Sequence, residues 1–222
     1  MKIKVCGMRD SKNILELIKL KPAFIGFIFY EKSKRFVSNF PQINFPKSIK
    51  KVGVFVNESV EEVFHKVNLY QLDCVQLHGN ETPDYCEELK LMAAERSRSD
   101  NSNEVISTTL NYQIEIIKAF SVDENFDFKI TNSYKDVCDY FLFDTKGKEY
   151  GGNGVKFNWG ILQKYKGKTP FLLSGGISKN DVEELKKINH SAFIGVDVNS
   201  GFEIEPGFKN MNEIKEFKDN LK

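Results

Sequence analysis

Two side chains in this sequence stand where a reactive polar group is unexpected. Cys6 ends the apolar run Ile3–Cys6, and Asp144 ends Tyr140–Asp144, directly after Phe141-Leu142-Phe143. A thiol can act as a base or nucleophile once it is a thiolate. Its reference pKa of ~8.5 means that this needs an electropositive or helix-terminal setting. A carboxyl group can donate a proton only while it holds one, a state favoured by burial or by nearby negative charge. Taken alone, Cys6 also reads as a small buried hydrophobe, and Asp144 as a loop cap. Two further segments have the composition of an anion site: Ser174-Gly175-Gly176-Ile177-Ser178 and Asn199-Ser200-Gly201, each placed after an apolar run. Glycines let backbone N–H groups close on an anion, and a helix N-terminus adds its dipole. The plainer reading is a pair of tight turns. Other polar groups at run ends are Arg35, within Lys32-Ser33-Lys34-Arg35, then Gln76, His78 and Asp197. Lys32 and Lys34 read as solvated charges.

These groups need elements to hold them. Eight apolar runs of strand length recur along the chain: Ile3–Cys6, Phe24–Phe29, Lys51–Val56, Cys74–Leu77, Ile114–Phe120, Tyr140–Asp144, Pro170–Ser174 and Ala192–Val196. Most are rich in Val, Ile and Phe without polar alternation, which suits strands covered on both faces of a parallel sheet. Helical spacing fills most gaps. It appears around Ile14 and Leu17 (behind Asp10 or Ser11), Val60 and Val67, Cys86 and Leu89 (behind Thr82-Pro83), Trp159 and Leu162, Val182 and Leu185, and Ile214 and Phe217. Pro41 and Pro46 limit any second helix to about a turn or two. The fifth, near residues 127–137, is poorly marked.

This alternation predicts a single (β/α)8-barrel domain over residues 1–222, near the small end of the fold's range. A doubly wound open sheet is the rival. Its dinucleotide form wants GxGxxG after the first strand, and Cys6-Gly7-Met8-Arg9 is not that. In the barrel, active sites lie at the carboxyl ends of the strands, and the loops after strands seven and eight commonly hold phosphate. Cys6, Asp144 and the two Gly/Ser segments all fall at such ends. Residues Glu95–Asn103 break the rhythm and read as a flexible polar insertion between the fourth helix and fifth strand, on the opposite face. Lys146, Lys148 and the glycines within 151–154 form a long loop that reads either as a lid or as solvated chain.

Bulk properties narrow the class. The 222 residues are 41% hydrophobic and 28% charged with formal net charge +1. The basic excess of a general nucleic-acid or membrane-surface binder is missing. No window reaches the ~18 consecutive apolar residues of a membrane span, and the segment Met1–Cys6 turns polar too quickly for a secretory signal. Cys6, Cys74, Cys86 and Cys138 form no CxxC pair, and His65, His78 and His190 add no zinc-ligand spacing. No metal is therefore expected, and the cysteines read as reduced thiols of a cytoplasmic protein.

An ordered series of blocks resembles the phosphoribosylanthranilate isomerase family. The blocks are Lys4–Arg9, Gly26–Phe29 with Ser33–Val37, Gly53–Asn57, Val75–Glu81, Phe143–Thr145, Gly151–Gly154 with Phe157–Trp159, Ser174–Ile177, and Gly195–Glu203. Each is weak alone, but together and in order they are specific. The departures are the polar insertion, the short second helix, and Glu31-Lys32 where the family more often has prolines. The resemblance implies a cofactor-free Amadori rearrangement in tryptophan biosynthesis. N-(5-phosphoribosyl)anthranilate, an aminoaldose, becomes the aminoketose 1-(2-carboxyphenylamino)-1-deoxyribulose 5-phosphate. It implies Cys6 as general base, Asp144 as general acid and Arg35 as the holder of the anthranilate carboxylate. Gln76, His78 and Asp197 would face the substrate, although His78 reads equally as a tie between the fourth strand and its loop and Asp197 as a group that orients loop amides; Gly175, Gly176, Asn199, Ser200 and Gly201 would bind the phosphate. The partner would be that small molecule alone, with the chain a monomer or homodimer. Another phosphate-binding barrel would look different: indole-3-glycerol-phosphate synthase wants a lysine acid/base, and a pentose-phosphate epimerase wants metal ligands. A non-catalytic scaffold would be expected to have lost Cys6, Asp144 or Arg35.

Overall fold

The computed structural model describes residues 1–99, 114–145 and 157–222. Eight parallel strands, in chain order, close into a barrel. They are β1 (Lys2–Val5), β2 (Phe24–Ile28), β3 (Lys50–Phe55), β4 (Cys74–Leu77), β5 (Glu115–Val122), β6 (Tyr140–Thr145), β7 (Phe171–Leu173) and β8 (Phe193–Val198). Closure comes from β1 pairing with β8, where Lys4 lies opposite Asp197. The helices are α1 (Ser11–Lys19), α2 (Val60–Tyr70), α3 (Pro83–Ser99), α4 (Val182–Lys186) and α5 (Met211–Asn220). Side chains cap four of them: Asp10 accepts from the Asn13 N–H, Ser59 from Glu62, Thr82 from Tyr85 and Asn210 from Glu213, each satisfying an otherwise orphaned donor. A small antiparallel hairpin, β9 (Glu203–Glu205) and β10 (Phe208–Lys209), follows the barrel.

Alternation along each strand sorts the core into two layers. Outward-facing residues such as Val5, Ile25, Val75, Phe141 and Phe143 pack against the helices. The barrel interior is plugged by Phe24, Val52, Cys74, Ile117, Ala119, Leu142 and Leu172. Two residues further along several of these strands the inward positions change character, to Gly26, Gln76, Asp144 and Ser174. The plug thus makes an apolar floor, and the polar groups sit above it at the carboxyl ends.

Three expectations are amended. Helix α3 runs to Ser99, five residues into the segment read as irregular, while 100–113 lie outside the described residues. The fifth and sixth connections carry short 3-10 helices, Phe128–Ser133 and Trp159–Lys164, in place of α-helices. Between β2 and β3 no helix forms, because Pro41 and Pro46 withhold backbone donors. Among the described residues no helix is long and apolar enough to cross a membrane.

Candidate active site

A cavity of about 510 Å³ opens at the carboxyl ends of the strands. Every residue singled out from the sequence lines it: Cys6, Arg35, Gln76, His78, Asp144, Gly175, Gly176, Asp197, Asn199, Ser200 and Gly201. Lys32 and Lys34 are exposed but also lie on its rim.

Cys6 immediately follows β1, and its N–H donates to the Val198 carbonyl at 2.9 Å. The side chain is buried. Burial pushes its pKa up, the Lys4 charge pulls it down, Asp197 pushes it up and Lys209 pulls it down; the net displacement is upward. The resting group is therefore a thiol. Beneath it Lys4 Nζ donates to Asp197 Oδ1 at 2.9 Å, and both side chains are almost fully enclosed. Burial alone would depress Lys4, but attraction to Asp197 and Cys6 together raises the ammonium's pKa. Asp197 is raised by burial against the opposing pull of Lys4.

Opposite, β4 and β6 bring three polar groups into a chain. Gln76 Nε2 lies 3.2 Å from His78 Nδ1, and His78 Nε2 lies 3.3 Å from Asp144 Oδ2. If Gln76 donates, His78 Nδ1 accepts and its remaining proton sits on Nε2, facing the carboxyl. Asp144 Oδ1 accepts from the Thr145 N–H at 2.9 Å. Gln76 Oε1 is buried and finds no hydrogen-bond partner among the described residues. The loop carrying His78 is clamped on both sides. Glu81 accepts from the N–H groups of Asn57 (2.8 Å) and Gly79 (2.9 Å). Lys118 Nζ donates to the carbonyls of Leu77 (3.1 Å) and Gly79 (2.8 Å) and to Glu81 Oε2 (3.0 Å).

Arg35 is already paired. Its Nε and Nη2 donate to the two oxygens of Glu203 at 2.8 and 2.6 Å. Lys209 Nζ joins from behind, at 2.6 Å from Glu203 Oε1 and 2.7 Å from Asn199 Oδ1. Burial works against ionisation of Glu203, but Arg35 and Lys209 hold it down at about 2. Burial lowers Lys209 to about 8, with Glu203 offsetting only part. One side-on edge of the guanidinium is thus occupied, and an end-on pair of nitrogens remains to meet a carboxylate.

The Gly/Ser loops form the adjacent wall. Gly175 (φ +95°) and Gly176 (φ +64°) adopt backbone conformations that suit glycine, and a Cβ on Gly175 would meet Thr145 Oγ1 at 2.2 Å. The helix dipole expected behind this loop is weak. A three-residue 3-10 turn, Lys179–Asp181, precedes the five residues of α4, and the Ser178 N–H is taken by Asp181 Oδ2 at 2.7 Å. Any anion here would meet loop amides. Residues 146–156, including the loop read as a lid, lie outside the described residues. Among the described residues no cluster of three or more His, Cys, Asp or Glu side chains could hold a metal.

Lys4, Glu81, Lys118, Glu203 and Lys209 support these groups without standing out in the sequence as site residues. A signal existed for Lys4 and Lys118. A lysine inside a parallel strand buried on both faces must be paired, and Ile3-Lys4-Val5 and Ile117-Lys118-Ala119 are such places.

A closed parallel barrel with a thiol, a carboxyl and glycine-rich loops converging on one mouth is the architecture of the (β/α)8-barrel enzymes. Within that class, a family model described as N-(5'phosphoribosyl)anthranilate (PRA) isomerase matches residues 3–108 and 98–220, and the chain belongs to this family. The N-(5'-phosphoribosyl)anthranilate isomerase of Parabacteroides distasonis is 46% identical over 222 residues, covering 98% of this chain and 91% of the relative. A crystal structure of phosphoribosyl anthranilate isomerase from Thermotoga maritima is similar with a TM-score of 0.77 and 31% identity, covering 100% of this chain and 98% of the other. A second structure of such an isomerase, in complex with reduced 1-(o-carboxyphenylamino)-1-deoxyribulose 5-phosphate, gives a TM-score of 0.76 at 29% identity over 100% and 98% of the two chains.

Proposed function

We propose that this barrel isomerises N-(5-phosphoribosyl)anthranilate to 1-(2-carboxyphenylamino)-1-deoxyribulose 5-phosphate, with Asp144 as general acid and Cys6 as general base. The observation that carries the proposal is their placement in one cavity, on β6 and β1, with β7, β8 and their glycine-rich loops between them. Asp144 gives its proton to the furanose ring oxygen, the C1–O bond breaks, and the nitrogen lone pair forms a protonated Schiff base. Cys6, as thiolate, takes the C2 proton, and those electrons flow to the nitrogen to give an enolamine. Tautomerisation then adds a proton at C1 and removes one from O2, leaving the ketone. Atoms and electrons balance without an external oxidant or reductant. His78, with Nε2 3.3 Å from Asp144 Oδ2, holds the carboxyl in place, and the proton taken by Cys6 returns to Asp144 through water in the cavity.

Arg35 takes the anthranilate carboxylate end-on while Glu203 keeps its other edge, and Gln76 and Asp197 face the sugar. The phosphate sits on the loops of Gly175, Gly176, Asn199, Ser200 and Gly201. Because the Asn199 Oδ1 already accepts from Lys209, its backbone serves the anion. The reading extends to one barrel domain over the whole chain, acting in the cytoplasm as a monomer or homodimer. Four cysteines present as free thiols support that compartment.

Turnover of phosphoribosylanthranilate by the wild type, Cys6→Ser and Asp144→Asn tests it. General acid or base groups contribute roughly 10²–10⁴-fold, so each variant is expected to lose at least about 10²-fold in kcat. A wild type that leaves this substrate unchanged overturns the function. A variant with near-normal kcat overturns that residue's role.

A further inference from the structure

A base must lose its proton before it can take another, and burial disfavours a Cys6 thiolate. What stands next to the sulfur decides whether the thiolate is reachable. Lys4 lies two residues before Cys6 on β1, so both side chains point into the barrel. Its side chain is fully enclosed. On the neighbouring strand, a Cβ built on Gly26 would lie 2.9 Å from Cys6 Sγ and 3.2 Å from Lys4 Nζ. Sulfur and ammonium therefore close on one point, which stays open only because residue 26 lacks a side chain. From the other flank Asp197 on β8, in register with Lys4, accepts a hydrogen bond from its ammonium at 2.9 Å.

A buried ion pair is weak evidence of stabilisation, since desolvating two charges offsets their attraction. A pair of this kind set directly under a thiol calls for a different account. We propose that Lys4 is a positioning residue for the base: its ammonium stabilises the Cys6 thiolate, while Asp197 holds the ammonium in place and limits how strongly it acts. This rests on reading Cys6 as the base. The charged groups acting on Cys6 come from three elements. Lys4 on β1 and Lys209 on β10 favour the thiolate, Asp197 on β8 opposes it, and β2 contributes only Gly26 at this level. Lys4 is already an ammonium, so ionisation releases the Sγ proton to water in the open cavity.

The test is the pH dependence of Cys6 alkylation by iodoacetamide, followed by mass spectrometry of the Cys6 peptide. Lys4→Gln is expected to raise the apparent thiol pKa by about one unit or more, roughly tenfold less thiolate at neutral pH. Asp197→Asn is expected to lower it, because Cys6 becomes the counter-ion left beside Lys4. Lys4→Arg should stay near the wild type. Loss of packing alone would move the first two variants in the same direction, so equal signs, or unshifted profiles, overturn the proposal. Should Lys4→Gln not fold, Asp197→Asn and the double variant Lys4→Gln/Asp197→Asn decide. The first must shift downward, and the second must return towards the wild type; any other pattern overturns it. Alkylation reads the thiolate without turnover, so the two readings fail separately. An active Cys6→Ser sinks the base assignment, whereas an inactive Cys6→Ser with unshifted alkylation in the Lys4 and Asp197 variants sinks the role of Lys4 alone.

Discussion

Arg35 has five N–H donors in a planar fork, and Glu203 fixes two of them at 2.8 and 2.6 Å. A guanidinium held in this way cannot rotate about its own axis, so its outer nitrogens present one orientation to the cavity. Lysine in the same place would offer a point charge on a flexible stem and lose the side-on pairing. Hydrogen bonds to charged groups are worth about 1.5–3 kcal/mol. If Arg35 holds the substrate carboxylate equally in ground and transition states, Arg35→Lys should raise KM by roughly 10- to 100-fold with little change in kcat. Glu203→Gln, which frees the fork without removing it, should raise KM by a smaller factor. Steady-state kinetics on both variants checks this. An unchanged KM in Arg35→Lys would detach Arg35 from the carboxylate.

At the scale of elements, what could be read from the sequence follows from what each element is made of. The strands announce themselves because burial on both faces demands runs without polar residues, as in Phe171–Leu173 and Phe24–Ile28. The far end of α3 did not, because Glu95–Ser99 offers no apolar face even though Ala93, Ala94, Glu95 and Arg96 are good helix formers. The turn Phe128–Ser133 is short and carries Thr131, Asn132 and Ser133, which favour non-helical backbone, so it shows little period. The residues that line the cavity at strand ends were legible from their ordinal position in the barrel. Their partners were not, because Lys4 meets Asp197 across 193 residues, Arg35 meets Glu203 across 168, and Lys118 meets Glu81 across 37. Residue spacing carries no trace of such pairings. The Lys118–Glu81 pair ties β5 to the loop after β4 that carries His78, and it has a measurable consequence. Removing one partner of a buried pair leaves an uncompensated charge, at about 3–5 kcal/mol. Lys118→Met should therefore destabilise the fold by that amount in urea unfolding, and Lys118→Met/Glu81→Gln should recover part of it. A Lys118→Met variant within about 1 kcal/mol of the wild type, the level of an exposed pair, would show that the clamp is dispensable.

For the molecule as a whole, the hairpin β9–β10 acts as the fastening between the end of the chain and its beginning. Arg9 Nη2 donates to the Pro206 carbonyl at 2.9 Å and its Nη1 to the Lys34 carbonyl at 3.2 Å. Asn13 and Lys209 exchange hydrogen bonds of 2.9 and 2.8 Å. At the centre of this fastening lie Glu203 and Lys209, whose titrations run in opposite senses. Glu203 has a folded pKa of about 2 against 4.5 for a free side chain. It binds protons less readily when folded, so its contribution is complete above pH 4.5 and disappears as pH falls towards 2. A shift of that size corresponds to on the order of 3 kcal/mol. Lys209 has a folded pKa of about 8 against 10.5. The unfolded chain keeps this proton where the folded chain has given it up, so stability rises as pH climbs from about 8 to 10.5. Urea unfolding of the wild type, Glu203→Gln and Lys209→Met across pH 2–10 separates the two. Glu203→Gln should be less stable than the wild type at pH 7, and the gap should close on acidification through the Glu203 window. Lys209→Met should lose the alkaline rise and leave Glu203 still paired to Arg35. If the gap between the wild type and Glu203→Gln stays constant from pH 5 to pH 2, then Glu203 is not the carboxylate that fastens the hairpin to the barrel.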